Sequence, residues 1–530
     1  MSLIAKIRRL LSIPGMLPVA LCVLVMGVDI QCQWPFAKMS LGGWYLVVRE
    51  SLLWGLMIGS LTFLLGKAAR WIYVPFLLFV LINGVIESFV KFKFDMNYTG
   101  DWVLVLAVTS VEELRNFVCG NAWLLLGCLF AFVAASVALG WTILRADYPR
   151  CSLRSAMVGV ALLLPMMVFN LRVSSLDKAF GHAIFHKVVS ETLASFGMMK
   201  DLGTTHGHPM GIEDVRLAVP LCEAPTCVVV IGESATRNNF GIYGYERDTT
   251  PRLAAVGDDL CVFTDLVGSW HSTMLALRYL FTGATAEDKA HARLLMTQAV
   301  KLAGYRQTFI TNVSRIGSIN NFIGRLFDVT DEQYYLKDFP DTASAFDDAL
   351  LPPCQRALSS GRGAGQVVYL HQNGSHYPFV GVYPKEWTVF DGGTVIDHYD
   401  NTVAFTDYNL GEVIKMLEAL HRPAMMFYVS DHGETPRSKS WRTYGDLDLW
   451  ELPMVVWFSK EYQEVFPETV QHVRAATSLP LQSDQVLPAL LEMMQIRGWS
   501  DTESERNFLN PSFVPRQQRL IKEWKEEYRP

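Results

Sequence analysis

The sequence predicts a chain in two parts. An amino-terminal five-helix transmembrane domain occupies residues 1–172, and a carboxyl-terminal α/β domain with a largely parallel sheet occupies 221–530, with 173–220 between them. Three observations carry this. Apolar segments of near-spanning length cluster before residue 175. After residue 221, short apolar runs alternate with amphipathic segments, the pattern of a parallel sheet with helices on both faces. Composition also falls between two classes. Half the residues are hydrophobic and 18% are charged, and mean hydropathy is +0.20; these values are high for a soluble enzyme and low for an all-membrane transporter.

Spans are expected near 16–35, 51–67, 71–91, 118–144 and 153–172, each close to the ~20 residues a helix needs to cross a bilayer. A cleaved signal peptide is the rival reading of the first, since Lys6, Arg8 and Arg9 precede it, but four further spans follow. Those three basic residues, Lys67 and Arg70, and Arg145, Arg150 and Arg154 all fall on one side if the amino terminus is cytoplasmic. Lys91, Lys93 and Arg115 lie on the other side and weigh against it. An odd number of spans then places everything after residue 172 outside. Trp34, Trp44, Trp71, Trp102, Trp123 and Trp141 lie near span ends, as interfacial aromatics do.

Between the two parts, Leu176, Ala179, Phe180, Ile184, Phe185, Val188 and Val189 recur at helical spacing among Lys178, His182, His186 and Lys187. This reads as an amphipathic helix at the membrane surface or bridging to the outer domain. Gly203 to Pro209 is a linker by composition. Beyond it, strands are expected at 227–231, 261–264, 307–311, 366–370, 424–430 and 453–458, and helices at 286–303, 341–359, 398–420 and 483–495. Net charge of −6 and a pI near 6.1 give no reason to expect a nucleic-acid partner. Cys222, Cys227, Cys261 and Cys354 lie in the outer part, where disulfides persist. Cys222 and Cys227 are spaced to close a small loop, although Cys227 leads into a strand and reads equally as core.

Candidate chemistry sits at strand ends. Cys227 to Ile231 is a continuous β-branched run that Gly232 breaks, leaving Glu233 just past the strand's carboxyl end. Ligands bind there in open α/β sheets. A lone Glu in that position is equally a turn or helix-capping residue. About two hundred residues on, Ala424 to Ser430 is a second such run, ending in Asp431-His432-Gly433-Glu434. Asp and His side by side supply one oxygen and one nitrogen ligand, which suits Zn²⁺ or a similar divalent ion. A nucleophile is expected in Asp265 to Leu280, read as a loop followed by a helix that begins near Ser272 or Thr273. A hydroxyl at a helix amino terminus favours an approaching phosphate, and either residue equally suits a plain N-cap. His371 and His376 flank Gly374 after the 366–370 strand, where a packed turn histidine is the bland alternative.

Five blocks in order resemble the membrane-bound phosphoethanolamine transferases of the alkaline phosphatase/sulfatase superfamily. They are Gly232-Glu233-Ser234, Tyr243 to Pro251, His371 to His376, Tyr399 to Asp407, and Ser430 to Glu434, and the resemblance covers roughly 222–490. It implies an alkaline phosphatase/sulfatase-like fold, a bacterial inner-membrane location and a periplasmic catalytic domain. It implies Zn²⁺ held by Glu233, Thr273, Asp431 and His432, with Thr273 the nucleophile, since Ala276 and Leu277 follow it as in the family. Ser272 is the fallback. It implies His376, and less directly His371, as contacts to the phosphoryl group or to a second metal. Many relatives carry another His before the next strand, but Trp441 to Leu452 contains none, so at least one zinc is implied. The activity implied is transfer of phosphoethanolamine from phosphatidylethanolamine to lipid A, core oligosaccharide or periplasmic glucan through a covalent phospho-threonine. A metal on the hydroxyl lowers its pKa and offsets charge on the phosphoryl oxygens. A phosphoglycerol transferase or phosphodiesterase is the nearest alternative. A silent membrane-anchored binding protein is the alternative of another class, against which the complete ligand set argues. A sulfatase activity is not expected, because no Cys-x-Pro-x-Arg or Ser-x-Pro-x-Arg stretch is present.

Topology is directly testable. Alkaline phosphatase fused at about residue 215 is expected to be active, and fused within 145–152 inactive. The reverse pattern would overturn the orientation.

Overall fold

The structure is a computed structural model that describes residues 5, 9–31, 41–94, 122–172, 214–286, 294–313, 318–338, 346–360, 365–377, 379–437, 446–502, 504–516 and 519. The chain divides into two compact units, Met1–Lys200 and Asp201–Pro530.

The first unit is helical: α1 (Met16–Gln31), α2 (Leu41–Gly59), α3 (Arg70–Phe94), α4 (Ala122–Arg145) and α5 (Leu153–Arg172). By length and composition, Val47–Glu87 and Ala122–Arg145 suffice to cross a bilayer, and Met16–Val28 and Leu153–Pro165 are shorter apolar helices. The helix expected at 51–67 is displaced: α2 begins at Leu41 and ends at Gly59, before a short turn of helix, Leu61–Leu65. Arg49 and Glu50 lie within α2, just before the expected start of the span. In the helix they pair at 2.7 Å, with the Glu50 side chain buried, so their charges do not interrupt it. The downstream break falls at Gly66, whose φ of +53° L side chains rarely adopt. Helices α1 and α2 approach closely through glycine: a Cβ on Gly55 would lie 2.4 Å from the Val23 Cα, which is small-residue packing between apolar helices. The expected bridging helix lies outside the described residues.

The second unit is built on seven strands: β1 (Thr226–Gly232), β2 (Leu260–Val262), β3 (Arg306–Thr311), β4 (Glu332–Tyr335), β5 (Gln366–His371), β6 (Ala424–Ser430) and β7 (Met454–Phe458). Their order is β2-β7-β6-β1-β5-β3-β4. Strand β7 pairs antiparallel with both neighbours, and the remaining pairs are parallel, so the sheet is mixed but largely parallel. Every residue of β1, β5 and β6 is buried, as a sheet covered on both faces requires. Fully burying each valine of β1 contributes about 1.5–3 kcal/mol.

The helices of this unit include α6 (Thr273–Phe281), which begins at the site, and α7 (Leu351–Ser360), α8 (Val395–Glu418) and α9 (Val486–Met493). Residues Leu351, Cys354, Ala357 and Leu358 of α7 and Tyr399, Val403, Leu410, Val413 and Leu417 of α8 share one core with Val228, Val368 and Met426 of the sheet. The helix expected over 341–359 starts only at Leu351, after a 3-10 turn Asp347–Leu350. Pro352 and Pro353 explain the shift, because proline has no N–H and is tolerated only in a first turn. Helix α8 starts at a capping box between Thr394 and Asp397. Of the segment expected as helix 286–303, Met296–Leu302 is helical and 287–293 lie outside the described residues. Cys222 and Cys227 are free thiols, so the loop their spacing allowed is not closed. Cys227 is core instead.

The register levels the carboxyl ends of the three central strands: Ile231 faces His371 on one side, and Gly232 faces Ser430 on the other. The turn after β6 is held tightly, since a Cβ on Gly433 would lie 2.1 Å from the Asp448 carbonyl oxygen. Gly433→Ala is therefore expected to destabilise the full chain in detergent by ~1–3 kcal/mol or more, read as a lowered melting temperature. An unchanged transition would show that the turn relaxes freely.

Candidate active site

Glu233 emerges from β1 and is 5% exposed. The next residue, Ser234, has φ +56°, a strained conformation for a side chain with a Cβ and worth about 1–3 kcal/mol. Its neighbours hold it there. Tyr399 of α8 donates its hydroxyl to the Ser234 carbonyl at 3.0 Å and accepts from the Thr236 amide at 2.8 Å. The Ser234 amide donates to Asp431 Oδ1 at 3.1 Å, and its hydroxyl donates to Glu233 Oε1 at 2.6 Å.

From β6, Asp431 and His432 follow Ser430, and both are buried. Asp431 Oδ1 also accepts from the His432 amide at 2.7 Å, whereas its buried Oδ2 has no hydrogen-bond partner. His432 Nδ1 lies 2.8 Å from the Gly433 carbonyl oxygen. That oxygen only accepts, which fixes a ring proton on Nδ1 and turns Nε2 toward the cluster, as the nitrogen a cation would use. Helix α6 begins at Thr273, preceded by Ser272 in extended conformation, with no capping bond from its side chain. Thr273 Oγ1 lies 3.2 Å from Glu233 Oε2 and 3.4 Å from His432 Nε2.

Glu233, Asp431 and His432 each offer a ligand atom, and these atoms all lie within 4.8 Å of one another. His432 Nε2 lies 3.4 Å from Glu233 Oε1 and 3.5 Å from Asp431 Oδ2. These separations are long for direct hydrogen bonds. They match the edge of a zinc coordination tetrahedron, about 3.3–3.6 Å for ligand bonds of about 2.0–2.2 Å. Electrostatics agrees. Burial and the charge of Glu233 push the Asp431 carboxyl up. Burial opposes the charge of Glu233 too, but the hydrogen bond and charge of His432, with the charge of His376, hold it well below the usual carboxylate range. The donor set, the spacing and the orphaned Asp431 oxygen all fit a divalent cation.

The four sequence-read ligands, Glu233, Thr273, Asp431 and His432, thus come together. His376 is half-buried, with Nδ1 2.7 Å from the Tyr377 carbonyl oxygen. His371 ends β5, 2% exposed, with Nδ1 2.9 Å from Thr311 Oγ1 and Nε2 without a partner. Burial pushes its imidazole down to about 4, so it is neutral at physiological pH. Among the described residues, no second cluster of three metal-ligating side chains occurs. Asp347 and Ser234 were not singled out from the sequence. Asp347 fell inside an expected helix, and no local pattern announces a strained serine.

A largely parallel sheet that gathers carboxylates, an imidazole and a helix-terminal hydroxyl at its carboxyl edge is the alkaline phosphatase/sulfatase-like arrangement. The chain belongs to the sulfatase family, whose profile, described as Sulfatase, matches residues 225–496. The resemblance to phosphoethanolamine transferases is also borne out. Phosphoethanolamine transferase EptC of Escherichia coli (strain K12) is 30% identical over 276 residues, covering 46% of this chain and 47% of the relative. The chain thus spans about half the length of the curated relatives it matches. The crystal structure of the C-terminal periplasmic domain of EptC from Escherichia coli in complex with Zn superposes with a TM-score of 0.51 at 25% identity, covering 58% of this chain and 91% of that one. The integral membrane protein lipooligosaccharide phosphoethanolamine transferase A from Neisseria meningitidis shares the fold at a TM-score of 0.70 and 20% identity, over 93% of this chain and 98% of that one.

Purified in detergent, the chain is expected to hold about one zinc per molecule. Glu233→Ala, Asp431→Ala and His432→Ala are each expected to weaken zinc binding by at least roughly tenfold. Metal analysis after gel filtration measures both, and unchanged occupancy in all three variants would move the metal elsewhere.

Proposed function

We propose that this protein transfers phosphoethanolamine from phosphatidylethanolamine to an envelope glycolipid or glycan, with Thr273 as the nucleophile. On this reading residues 1–172 form a multi-pass membrane domain of five spans in the bacterial inner membrane, 173–220 bridge, and 221–530 form the catalytic domain in the periplasm. The observation that carries it is the convergence of Thr273 Oγ1 on Glu233 and His432 at 3.2–3.4 Å, at the amino end of a helix and beside a buried acid pair.

Glu233, Asp431, His432 and Thr273 would hold zinc, which supplies Lewis acidity toward the hydroxyl and the phosphoryl oxygens. Glu233 and His432 fix Thr273 Oγ1 from two sides. The first amides of α6 have no partner within the helix and face incoming negative charge. Thr273 Oγ attacks phosphorus and loses its proton, the ester bond to diacylglycerol breaks, and diacylglycerol leaves protonated into the bilayer. Phosphoethanolamine remains on Thr273. A phosphate oxygen or sugar hydroxyl of lipid A, core oligosaccharide or periplasmic glucan then attacks the same phosphorus and frees the hydroxyl. His376, half-buried and close enough for its charge to act on Glu233, contacts the phosphoryl oxygens. His371, buried and neutral, supports the floor of the site from β5.

Incubation with phosphatidylethanolamine and no acceptor is expected to add phosphoethanolamine to the peptide containing Ser272 and Thr273, read by mass spectrometry. Thr273→Ala should abolish both adduct and turnover, and Ser272→Ala should cost far less. Thr273→Asp separates the roles, because Asp is well tolerated in the first turn of a helix but cannot replace an attacking hydroxyl. An active Thr273→Asp enzyme would move the nucleophile to Ser272.

A further inference from the structure

Asp347 is 2% exposed and, among the described residues, forms no ion pair. Burying a carboxylate is costly, and burial pushes its carboxyl up, against a smaller opposing effect of the Lys337 charge. Three donors offset that cost. Asp347 Oδ1 accepts from Asn312 Nδ2 at 2.9 Å and from the Asn373 amide at 2.8 Å, and Oδ2 accepts from the Gly374 amide at 2.8 Å.

The two backbone donors belong to the turn that leads from His371 to His376. That turn lies directly against Glu233: the Ser375 amide donates to the Glu233 carbonyl at 2.9 Å. A Cβ on Gly374, where φ is +51°, would sit 2.7 Å from that carbonyl oxygen and 3.1 Å from the Glu233 Cβ. The far side of the turn is tied by Thr402, whose hydroxyl donates to Ser375 Oγ at 2.7 Å. Asp347 therefore folds a glycine turn onto the backbone that carries Glu233, and it sets where His376 leaves that turn.

We propose that Asp347 is a positioning residue for the metal site, acting through the Asn373-Gly374-Ser375 turn on Glu233 and His376. The inference rests on the zinc reading above. Asp347→Asn is the discriminating change. It keeps volume and Oδ1, and it turns Oδ2 into an NH₂ group that faces the Gly374 N–H, donor against donor. In the full chain in detergent, Asp347→Asn is expected to weaken zinc binding about tenfold, within the range for residues that support metal ligands. It should also lower kcat more than it changes KM, and speed amide exchange at 373–375. Asp348→Asn, at a half-exposed neighbour, should match wild type on all three. A role in stability alone would lower the melting temperature and leave zinc affinity unchanged well below it. Zinc affinity within twofold of wild type in folded Asp347→Asn overturns the proposal. If that variant does not fold, Asn312→Ala, which removes one of the three donors, carries the same test with an expected loss of about fivefold. A wild-type chain that binds no zinc would instead sink the metal reading, and amide exchange at 373–375 would still judge whether Asp347 holds the turn.

Discussion

Two carboxyl groups are buried side by side in this protein, and much of the second unit is arranged around the repulsion that arises when both are ionised. Glu233 and Asp431 lie in one cluster whose ligand atoms are within 4.8 Å of one another. At that separation two unit charges repel by about 3.5 kcal/mol at an effective dielectric of about 20. The amides of Ser234 and His432 both donate to Asp431 Oδ1, at about 1.5–3 kcal/mol for a hydrogen bond to a charged group. They satisfy one oxygen and leave Oδ2 bare. A divalent cation offsets the repulsion and fills that coordination in a single step, which is why a metal explains the site better than a hydrogen-bond network does.

Holding such a cluster requires backbone that will not relax, and α8 supplies much of it. Tyr399 pins the strained Ser234. Thr402 ties the Gly374 turn through Ser375. Asn401 accepts from the amides of Val389 and Phe390. Asp400 binds Asn239, Tyr245 and Arg247, and Asp407 accepts from the amides of Arg252 and Leu253 at the start of a short helix. The Tyr399–Asp407 block looked from the sequence like one more motif accompanying the chemistry. In the structure it is a brace, with side chains tied to the strand-end loops that carry the ligands or lie behind them.

Legibility in the sequence follows from where information is local. Strands β1, β5 and β6 were readable because burial on both faces demands uninterrupted apolar runs. Glu233, Asp431 and His432 were readable because they directly follow two of those runs, whereas Thr273 stood out from Ser272 only through the family resemblance. Strand β4 was missed because Glu332-Gln-Tyr-Tyr335 is an edge with half-buried polar residues, which lacks that signature. The start of α7 follows from Pro352 and Pro353, which confine the helix to begin at Leu351, and α2 extends back to Leu41 through Arg49 and Glu50, whose charges pair. Asp347 was illegible for a different reason. Its partners are mainly backbone amides from a turn about twenty-five residues away, and no spacing rule encodes an acceptor for amides that only the fold delivers.

Charge accounting also bears on how the proposed chemistry would use the site. Around a divalent cation, Glu233 and Asp431 would bind as carboxylates and His432 as a neutral imidazole with its proton on Nδ1 toward the Gly433 carbonyl, so that one cation brings the ligand cluster to neutrality. A phosphodiester headgroup arriving there carries a phosphate charge that the cluster does not cancel. The amino end of α6 supplies about half a positive charge, aimed at the atom attached to Thr273. His376 is a further titratable group whose charge acts on Glu233. Placing the hydroxyl on the first residue of a buried helix, rather than on a loop, therefore does two things at once. It holds the Thr273 oxygen between Glu233 and His432, and in the proposed transfer it would bring the positive helix end to the phosphoryl oxygens. Ser272, one residue earlier and extended, has the same chemistry in its side chain but stands outside that geometry.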